Sequence, residues 1–393
     1  MHILIPVLHR PIKPTGVCRH AVNLAQCLAH TKTVSKVTLV IGEWQNEYFD
    51  QSFHLESSKI QVVSIATQRR AAVRNIWYLK GLPKVANQLA ADIVHMSFPF
   101  PFIRQLFNAP VVCSTIHDLY PFECPENFGY PKVWFNQWFL KQSIASSDGL
   151  ACVSQVTLDN LNEFFPRQAS QNREVIYNYV DFEKIEPVIP KTTELEPGSP
   201  FLLSVAQHRK NKNLDLLIRA YSSLMQKAII PAKTQLILVG GTGPETGALE
   251  QLVDKLSLEK KVCFLSGLSD SHLCWLYQHC ELFVIPSSTE GFCLPLVEAL
   301  SWESKVVCSD IPIFREVGNS SCTYFDTTSQ ADDQLTKDSS VAKLTQAIEQ
   351  ASTTHPHTEN QLQNQRDPRF SKDYVAQQLL DFYTSVKKSH ASN

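Results

Sequence analysis

Two carboxylates, Glu290 and Glu298, flank a short turn and are separated by seven residues. The apolar run 282–285 before them predicts a buried parallel strand, and Pro295 suits the first turn of a helix. A strand, a loop and a helix start in this order direct backbone N–H groups and the positive end of a helix toward one point, which favours an anion. Carboxylates repel phosphate but accept hydrogen bonds from the hydroxyls of sugars and riboses. The stretch therefore predicts a site for a sugar or a ribose.

A second loop carries three cations. Residues 201–206 form a predicted apolar strand, and Arg209, Lys210 and Lys212 then precede a predicted helix over residues 214–224. Because the carboxyl ends of parallel strands meet at one edge of a sheet, we expect these cations to lie near the carboxylate turn. Uncompensated cations at that edge favour an anion such as a nucleotide diphosphate. A solvated charged loop is the alternative interpretation.

Two further positions follow predicted strands in the first half of the chain. Gly16 lies between the first predicted strand and the first predicted helix, where nucleotide-binding folds let phosphate approach the backbone. The full Gly-x-Gly-x-x-Gly motif is absent, so a simple turn glycine is the alternative. His117 and Asp118 end a predicted strand over residues 111–115, at the edge where such sheets bind ligands. A structural histidine with Asp118 capping a helix is the alternative there.

The Gly-Phe-Cys-Leu-Pro core at residues 291–295, between two glutamates, resembles the signature of retaining glycosyltransferases of the GT-B fold, family four. The resemblance covers most of the chain; it is strong over residues 201–317 and loose over residues 1–181. It implies an α/β fold with two Rossmann-like domains that face each other across a cleft. It also implies a C-terminal helix that crosses back to the first domain.

The domain boundaries follow from composition and from this resemblance. A polar, acidic run interrupted by four prolines marks the predicted linker. The segment 149–153 is predicted to be the last strand of the first domain. The predicted parts are an acceptor-binding domain over residues 1–183, a linker over 184–200, a nucleotide-sugar domain over 201–369, and a returning helix over 370–393.

The resemblance further implies the reaction and the roles of individual residues. A sugar would move from a UDP- or GDP-linked donor to a hydroxyl of a glycan or lipid-linked acceptor, with retention of configuration and without metal or other cofactor. Arg209 and Lys212 would neutralise the leaving diphosphate, Glu298 would bind the ribose, and Glu290 would bind the donor sugar. The implied catalytic residues are Glu290, Arg209, Lys212 and His117. The implied donor-binding residues are Gly16, Phe292, Cys293, Leu294, Glu298, Gly240 and Leu268.

Composition excludes several other classes. The chain has 393 residues, 44% of them hydrophobic and 19% charged, which is typical of a globular protein with about two domains. A net charge of -2 gives no general attraction to nucleic acid. No apolar run is long enough to cross a bilayer, and the 11 cysteines form no Cys-x-x-Cys pair, which argues against a zinc site or a secreted disulfide framework. We therefore expect a cytoplasmic protein.

The segment 59–84 combines six cations, no acid and several apolar residues, including Trp77 and Tyr78. A basic amphipathic helix with aromatic residues can bind an anionic membrane surface, so peripheral contact with the inner leaflet is one expectation. A helix that packs on its own sheet and leaves the cations solvated is the other.

Two alternatives to transfer stay open at this stage. One is a catalytically inactive GT-B scaffold that binds a partner transferase, which the intact set of charged residues argues against. The other is a GT-B epimerase or phosphorylase; the Gly-Phe-x-Leu-Pro signature argues against the epimerase. Relatives of this kind build bacterial surface polysaccharides and lipopolysaccharides, which makes such a glycan or glycolipid the expected acceptor.

Overall fold

A computed structural model of the chain describes residues 1–9, 16–53, 55, 57–108, 110–166, 171–180, 185–191, 195, 198–327, 334–353 and 367–391. These residues form two compact units, one from Met1–Tyr179 and Pro368–Asn393 and the other from Val180–Asp367. The predicted boundary at residues 183 and 184 and part of the predicted linker lie outside the described residues.

The first unit is a parallel sheet covered by helices on both faces. Its strand order is β3-β2-β1-β4-β5-β6-β7. The strands are β1 (His2–Pro6), β2 (Lys36–Gly42), β3 (Ile60–Ile65), β4 (Ile93–Met96), β5 (Val111–Ile116), β6 (Gly149–Cys152) and β7 (Asn172–Val175). The helices are α1 (Gly16–His30), α2 (Asn46–Ser52), α3 (Ala71–Ile76), α4 (Leu82–Gln88), α5 (Tyr120–Glu123), α6 (Lys132–Ser146) and α7 (Gln155–Phe164).

Alternating side chains of β1 enter two cores. Ile3 and Ile5 pack with one cluster, whereas Leu4 packs with the cluster that holds Tyr78 and Leu82. A sheet buried on both faces explains why its strands are continuous apolar runs in the sequence. The prediction that residues 149–153 form the last strand of this domain was wrong, because β7 pairs with β6 and extends the sheet. The short, polar β7 lacks the apolar run that marks a buried strand.

The second unit repeats the architecture with the strand order β10-β9-β8-β11-β12-β13. Its strands are β8 (Phe201–Val205), β9 (Gln235–Val239), β10 (Val262–Leu265), β11 (Leu282–Ile285), β12 (Val306–Ser309) and β13 (Cys322–Phe325). Its helices are α8 (Leu214–Gln226), α9 (Thr246–Lys255), α10 (Asp270–His279), α11 (Leu294–Ser301), α12 (Pro312–Gly318) and α13 (Gln334–Thr353). In both sheets the strand order reverses direction between two neighbouring strands, which are β1 and β4 in the first sheet and β8 and β11 in the second. Open α/β sheets bind ligands at such a switch point.

The last helix, α14 (Lys372–Ala391), belongs to the first unit. Its apolar side chains, including Leu379, Phe382 and Val386, join the core formed by α1 and the sheet. A Cβ on Gly149 would lie 2.5 Å from a Val386 methyl carbon, so glycine at the start of β6 permits this close packing. The C-terminal segment therefore completes the core of the N-terminal sheet.

The basic segment packs mainly on its own sheet. Tyr78 is 1% exposed and its hydroxyl accepts a hydrogen bond from the backbone N–H of Leu8 at 3.2 Å. Lys59 donates to the carbonyl of Thr31 at 2.6 Å, and the Arg74 guanidinium lies 5.5 Å from the ring centroid of Phe100. The expectation that Tyr78 faces a bilayer was therefore wrong, because its ring fills the space between helix and sheet.

Candidate functional site

Two loops meet at the switch point of the second sheet. One follows β8 and the other follows β11, and these strands are neighbours in parallel register. Side-chain amides join the loops: Asn211 donates to the carbonyl of Thr289 at 3.1 Å, and Asn213 donates to the carbonyl of Pro286 at 2.9 Å. The backbone N–H of Ser288 returns a bond of 2.9 Å to the carbonyl of Asn211. The two loops predicted from sequence therefore form one connected structure.

A salt bridge lies at the centre of this structure. The Nζ of Lys212 is 2.5 Å from the Oε1 of Glu290, which also accepts a hydrogen bond of 2.9 Å from the Ser287 hydroxyl. The two charged side chains are only 18% and 12% exposed. Burial alone would lower the pKa of Lys212, but the Glu290 carboxylate outweighs it and the net shift is upward. The expectation of uncompensated cations was therefore wrong for Lys212, because a carboxylate from the neighbouring loop pairs with it.

Arg209 keeps its charge available. Its side chain is exposed, and within the described part of the chain it has no hydrogen-bond or ion-pair partner. Together with the Lys212–Glu290 pair it gives the loop junction a net positive charge. An ammonium group has three N–H donors. Lys212 donates one of its three N–H groups to Glu290, which leaves two for an anion.

The turn after Glu290 adopts a special backbone conformation. Cys293 has φ 69° and ψ 74°, and α11 begins at the next residue, Leu294. Pro295 lies at the start of that helix, as the sequence predicted. Phe292 is buried at 4% exposure and anchors the turn. Burial raises the pKa of the Cys293 thiol well above its usual value, so the thiol stays protonated and is a poor nucleophile.

The second carboxylate of the motif, Glu298, is held in place by a hydrogen bond from a neighbouring helix. The hydroxyl of Tyr277 on α10 donates to the Oε2 of Glu298 on α11 at 2.8 Å. The Tyr277 side chain is fully buried, and burial raises the pKa of its phenol well above its usual value. The phenol therefore remains a donor that orients the carboxylate. Nothing in the sequence around Tyr277 signals this role.

Gly240 and Leu268 lie in the loops that follow β9 and β10, at the carboxyl edge of the second sheet. A Cβ on Gly240 would lie 1.9 Å from the carbonyl oxygen of Ala206, in the loop that leads to Arg209. Glycine is therefore required there for packing between loops, apart from any contact with a donor. Leu268 is partly buried and follows Gly267, whose φ is +70°.

In the first unit, His117 follows β5 and is fixed in one tautomer. Its Nε2 lies 2.8 Å from the carbonyl oxygen of Ser97, which can only accept, so Nε2 carries the proton. Burial lowers the pKa of His117, which keeps the ring neutral and leaves Nδ1 as an acceptor. Asp118 accepts a hydrogen bond from the backbone N–H of Tyr120 at 3.1 Å, which stabilises the turn before α5; the N-cap residue of that helix is Leu119.

A buried polar cluster supports His117, and sequence reasoning missed it. The rings of His20 and His117 meet edge to face with centroids 4.6 Å apart. The Thr115 hydroxyl lies 3.3 Å from the Nε2 of His20 and 2.7 Å from the Nε2 of His95. His95 also bonds the Tyr383 hydroxyl of α14 at 2.6 Å. These residues are far apart in sequence, and their histidines lie among apolar residues without a recognisable motif.

Gly16 is the first residue of α1 and is exposed. A Cβ at this position would have no atom within 4 Å, so the fold alone does not require glycine there. In the described residues no group of three or more His, Cys, Asp or Glu side chains could hold a metal ion. No helix in those parts of the chain has the length and apolar character needed to cross a bilayer.

Comparison with known proteins agrees with this architecture. The family model described as Glycosyltransferase Family 4 matches residues 14–184, and the model described as Glycosyl transferases group 1 matches residues 186–363. The O-antigen chain mannosyltransferase RfbU of Salmonella typhimurium is 26% identical over 317 residues, which cover 79% of this chain and 82% of that relative.

A shorter match, 36% identical over 138 residues, covers 35% of this chain and 34% of the N-acetylgalactosamine-N,N'-diacetylbacillosaminyl-diphospho-undecaprenol 4-alpha-N-acetylgalactosaminyltransferase of Campylobacter jejuni. Among solved structures, sucrose-phosphate synthase from Thermosynechococcus elongatus superposes with a TM-score of 0.73 at 16% identity, covering 99% of each chain. The two family models together span most of the sequence, and the chain belongs to the GT-B glycosyltransferases of family four.

Proposed function

We propose that the protein is a retaining, metal-independent glycosyltransferase that moves a sugar from a nucleotide-diphosphate sugar to a hydroxyl of a glycan or glycolipid. The observation that carries this proposal is the junction of the two loops at the switch point of the second sheet. There Lys212 is fixed by Glu290 at 2.5 Å, and the exposed Arg209 adds a second cation. A diphosphate that gains charge as the glycosidic bond breaks is the ligand that this arrangement favours.

The chemistry then needs no protein nucleophile. The bond between the anomeric carbon and the phosphate oxygen breaks, and its electron pair stays on the diphosphate beside Arg209 and Lys212. The acceptor hydroxyl attacks the anomeric carbon on the same face, and its proton passes to the departing phosphate oxygen. A charged hydrogen bond contributes about 1.5–3 kcal/mol, and two that strengthen as charge develops lower the barrier. The protonated thiol of Cys293 agrees with a direct displacement.

The donor-binding roles follow the family resemblance and the observed positions. Glu298, oriented by Tyr277, would accept hydrogen bonds from the ribose hydroxyls. The backbone N–H groups at Phe292, Cys293 and Leu294 would bind the donor sugar. Glu290 gains a second role, because it also positions the ammonium of Lys212.

The remaining predicted residues line the carboxyl edges of the two sheets. We infer that Gly240 and Leu268 lie beside the nucleotide. In the first unit, His117 would offer its unprotonated Nδ1 to a sugar hydroxyl, and Gly16 would allow close approach of the diphosphate.

For the acceptor, the names of the relatives guide the proposal. One is an O-antigen chain mannosyltransferase, and another acts on a diphospho-undecaprenol-linked sugar. We infer a lipid-linked glycan as acceptor, a UDP- or GDP-linked hexose such as mannose as donor, and a cytoplasmic enzyme that contacts the inner leaflet peripherally. The inactive scaffold and the epimerase or phosphorylase are not favoured, since both family models describe glycosyltransferases.

The test is a transfer assay in EDTA with a panel of UDP- and GDP-sugars and lipid-linked acceptors. We expect nucleotide diphosphate release that depends on the acceptor, and a product whose anomeric proton in NMR shows the configuration of the donor. Release without an acceptor, inversion of configuration, or activity that requires added magnesium or manganese would contradict the proposal.

A further inference from the structure

One face of α6 exposes a cluster of aromatic side chains, which we call the aromatic face. Tyr130, Trp134, Phe135 and Trp138 are 77%, 63%, 60% and 55% exposed. The spacing of three and four residues places them on one side of the helix and of the turn before it. The rings of Tyr130 and Trp134 meet edge to face at 5.1 Å. Isolated exposed apolar residues are ordinary, but a contiguous aromatic surface indicates that something covers it.

The aromatic face lies toward the edge of the first sheet that carries His117. Ser146 ends α6 only three residues before β6 begins at Gly149, so the C-terminal end of α6 lies at the amino edge of the parallel sheet. A helix of this length spans about 22 Å, so its N-terminal half, with the aromatic face, lies toward the opposite, carboxyl edge. His117 directly follows β5 at that edge.

The charges along this element have one sign. Between residues 127 and 147 the only side chains that carry a charge at neutral pH are Lys132 and Lys141, and both are exposed. The Lys141 ammonium lies 5.6 Å from the ring centroid of Phe122, beside the end of the aromatic face. Trp and Tyr favour the interface between lipid and water, and lysine adds attraction to anionic headgroups. The composition therefore complements an anionic bilayer surface.

A second copy of the chain fits this surface less well. A symmetric dimer would place the same element of both copies face to face. Lys132 and Lys141 would then meet lysines, with no acid on the element to pair with them. Like charges brought together at an interface oppose association.

We propose that the aromatic face of α6 docks the protein on an anionic phospholipid bilayer, with Trp134, Phe135 and Trp138 inserted among the headgroups and Lys132 and Lys141 above the lipid phosphates. The inference rests on the proposed function, since a lipid-linked acceptor must be reached at a membrane. It places the contact on α6 rather than on the basic segment 59–84, whose Tyr78 is buried. When the protein is bound through α6, the carboxyl edge of the first sheet lies beside the bilayer. The glycan of a lipid-linked acceptor begins there.

The test is flotation of the full chain with vesicles of phosphatidylethanolamine and phosphatidylglycerol, compared with phosphatidylcholine alone. We expect wild type to float with the anionic vesicles. Trp134→Ser combined with Phe135→Ser and Trp138→Ser should weaken the partition at least tenfold. All three side chains are more than half exposed, so the fold should tolerate these changes, and circular dichroism checks that it does.

Two further variants keep the result decisive. Lys132→Glu with Lys141→Glu should reduce flotation on anionic vesicles only. The matched control is Val62→Ser with Ile76→Ser, which removes exposed apolar side chains from the basic segment and should float like wild type. Loss of flotation in this control but not in the aromatic variant would overturn the assignment to α6.

Other outcomes separate this proposal from the proposed function. The aromatic variant should still transfer sugar to a detergent-solubilised acceptor at the wild-type rate. If wild type does not float, or if light scattering shows a dimer that the aromatic variant dissociates and vesicles do not bind, the membrane proposal is overturned while transfer can stand. If wild type floats through α6 but transfers no sugar to any acceptor, the proposed function fails and the docking surface remains.

Discussion

The Lys212–Glu290 pair allows the sharpest test of the site by mutation. At 2.5 Å, with side chains 18% and 12% exposed, the pair is partly shielded from water. Coulomb attraction at this distance is about 6–7 kcal/mol for an effective dielectric constant of about 20, and desolvation offsets much of it. We expect Lys212→Met or Glu290→Gln alone to destabilise the second unit by about 2–3 kcal/mol, because each leaves a partner unpaired.

The double variant should lose clearly less than the sum of the two single losses, because it leaves no buried charge unpaired. For a unit of this size 1 kcal/mol shifts Tm by about 2–4 °C, so a coupling of about 2 kcal/mol raises the double variant about 4–8 °C above additivity. Differential scanning calorimetry measures it, with Lys255→Met, an exposed lysine of α9, as control. Additive losses would refute the reasoning.

Turnover should respond to these substitutions differently from stability, and stability itself should depend on pH. Turnover should fall about 10- to 100-fold in Lys212→Met and should not recover in the double variant, because the diphosphate still lacks its cation. The pKa of Lys212 is raised above its ordinary value of 10.5, so the stabilising pair is fully formed below that pH and is lost as pH rises through the raised pKa. Recovery of turnover in the double variant would remove Lys212 from catalysis.

Three further predictions concern the surroundings of the site. Gly240→Ala should lower the Tm of the second unit by more than 2 °C, since the added Cβ would lie 1.9 Å from a carbonyl oxygen. Gly241→Ala should leave the Tm unchanged, because a Cβ at that position would have no atom within 4 Å. Equal Tm values for the two variants would contradict this. Tyr277→Phe removes the hydrogen bond to the carboxylate on α11 and should weaken nucleotide binding about tenfold by calorimetry, with unchanged affinity as the contrary result. Burial lowers the pKa of His95 to about 3, so it stays neutral in the folded state while the unfolded chain gains a proton as pH falls below 6.5. His95→Gln should therefore flatten the loss of stability on acidification by up to about 1.4 kcal/mol per pH unit, as urea titrations at several pH values would measure, and an unchanged pH dependence would contradict this.

Local patterns predicted the parts of the fold that depend on them. Apolar runs of four to six residues predicted β5, β6, β8 and β11, and Pro295 predicted the start of α11. The edge strand β7 is short and polar, so its apolar signal was too weak to recognise. Membership of α14 in the first unit agrees with the predicted returning helix, an expectation that came from the family resemblance rather than from periodicity.

The pairing of side chains within the site needed coordinates. Both Lys212 and Glu290 were selected from their loops, but a sequence does not tell which charges of neighbouring loops meet. The role of Tyr277 toward Glu298 was invisible for the same reason. Tyr78 shows the converse, because an aromatic residue within a basic helix fits a membrane or a core equally well until its burial is known.

The most direct test of the account is the binding of nucleotide diphosphates to wild type and to two cation variants in EDTA. We expect UDP or GDP to bind wild type by titration calorimetry, and Arg209→Ala and Lys212→Ala each to weaken binding at least tenfold, or about 1.4 kcal/mol. Lys255→Ala, which removes an exposed lysine away from the junction, should bind like wild type. Wild-type affinity in both Arg209→Ala and Lys212→Ala would contradict the claim that these two residues hold the leaving diphosphate.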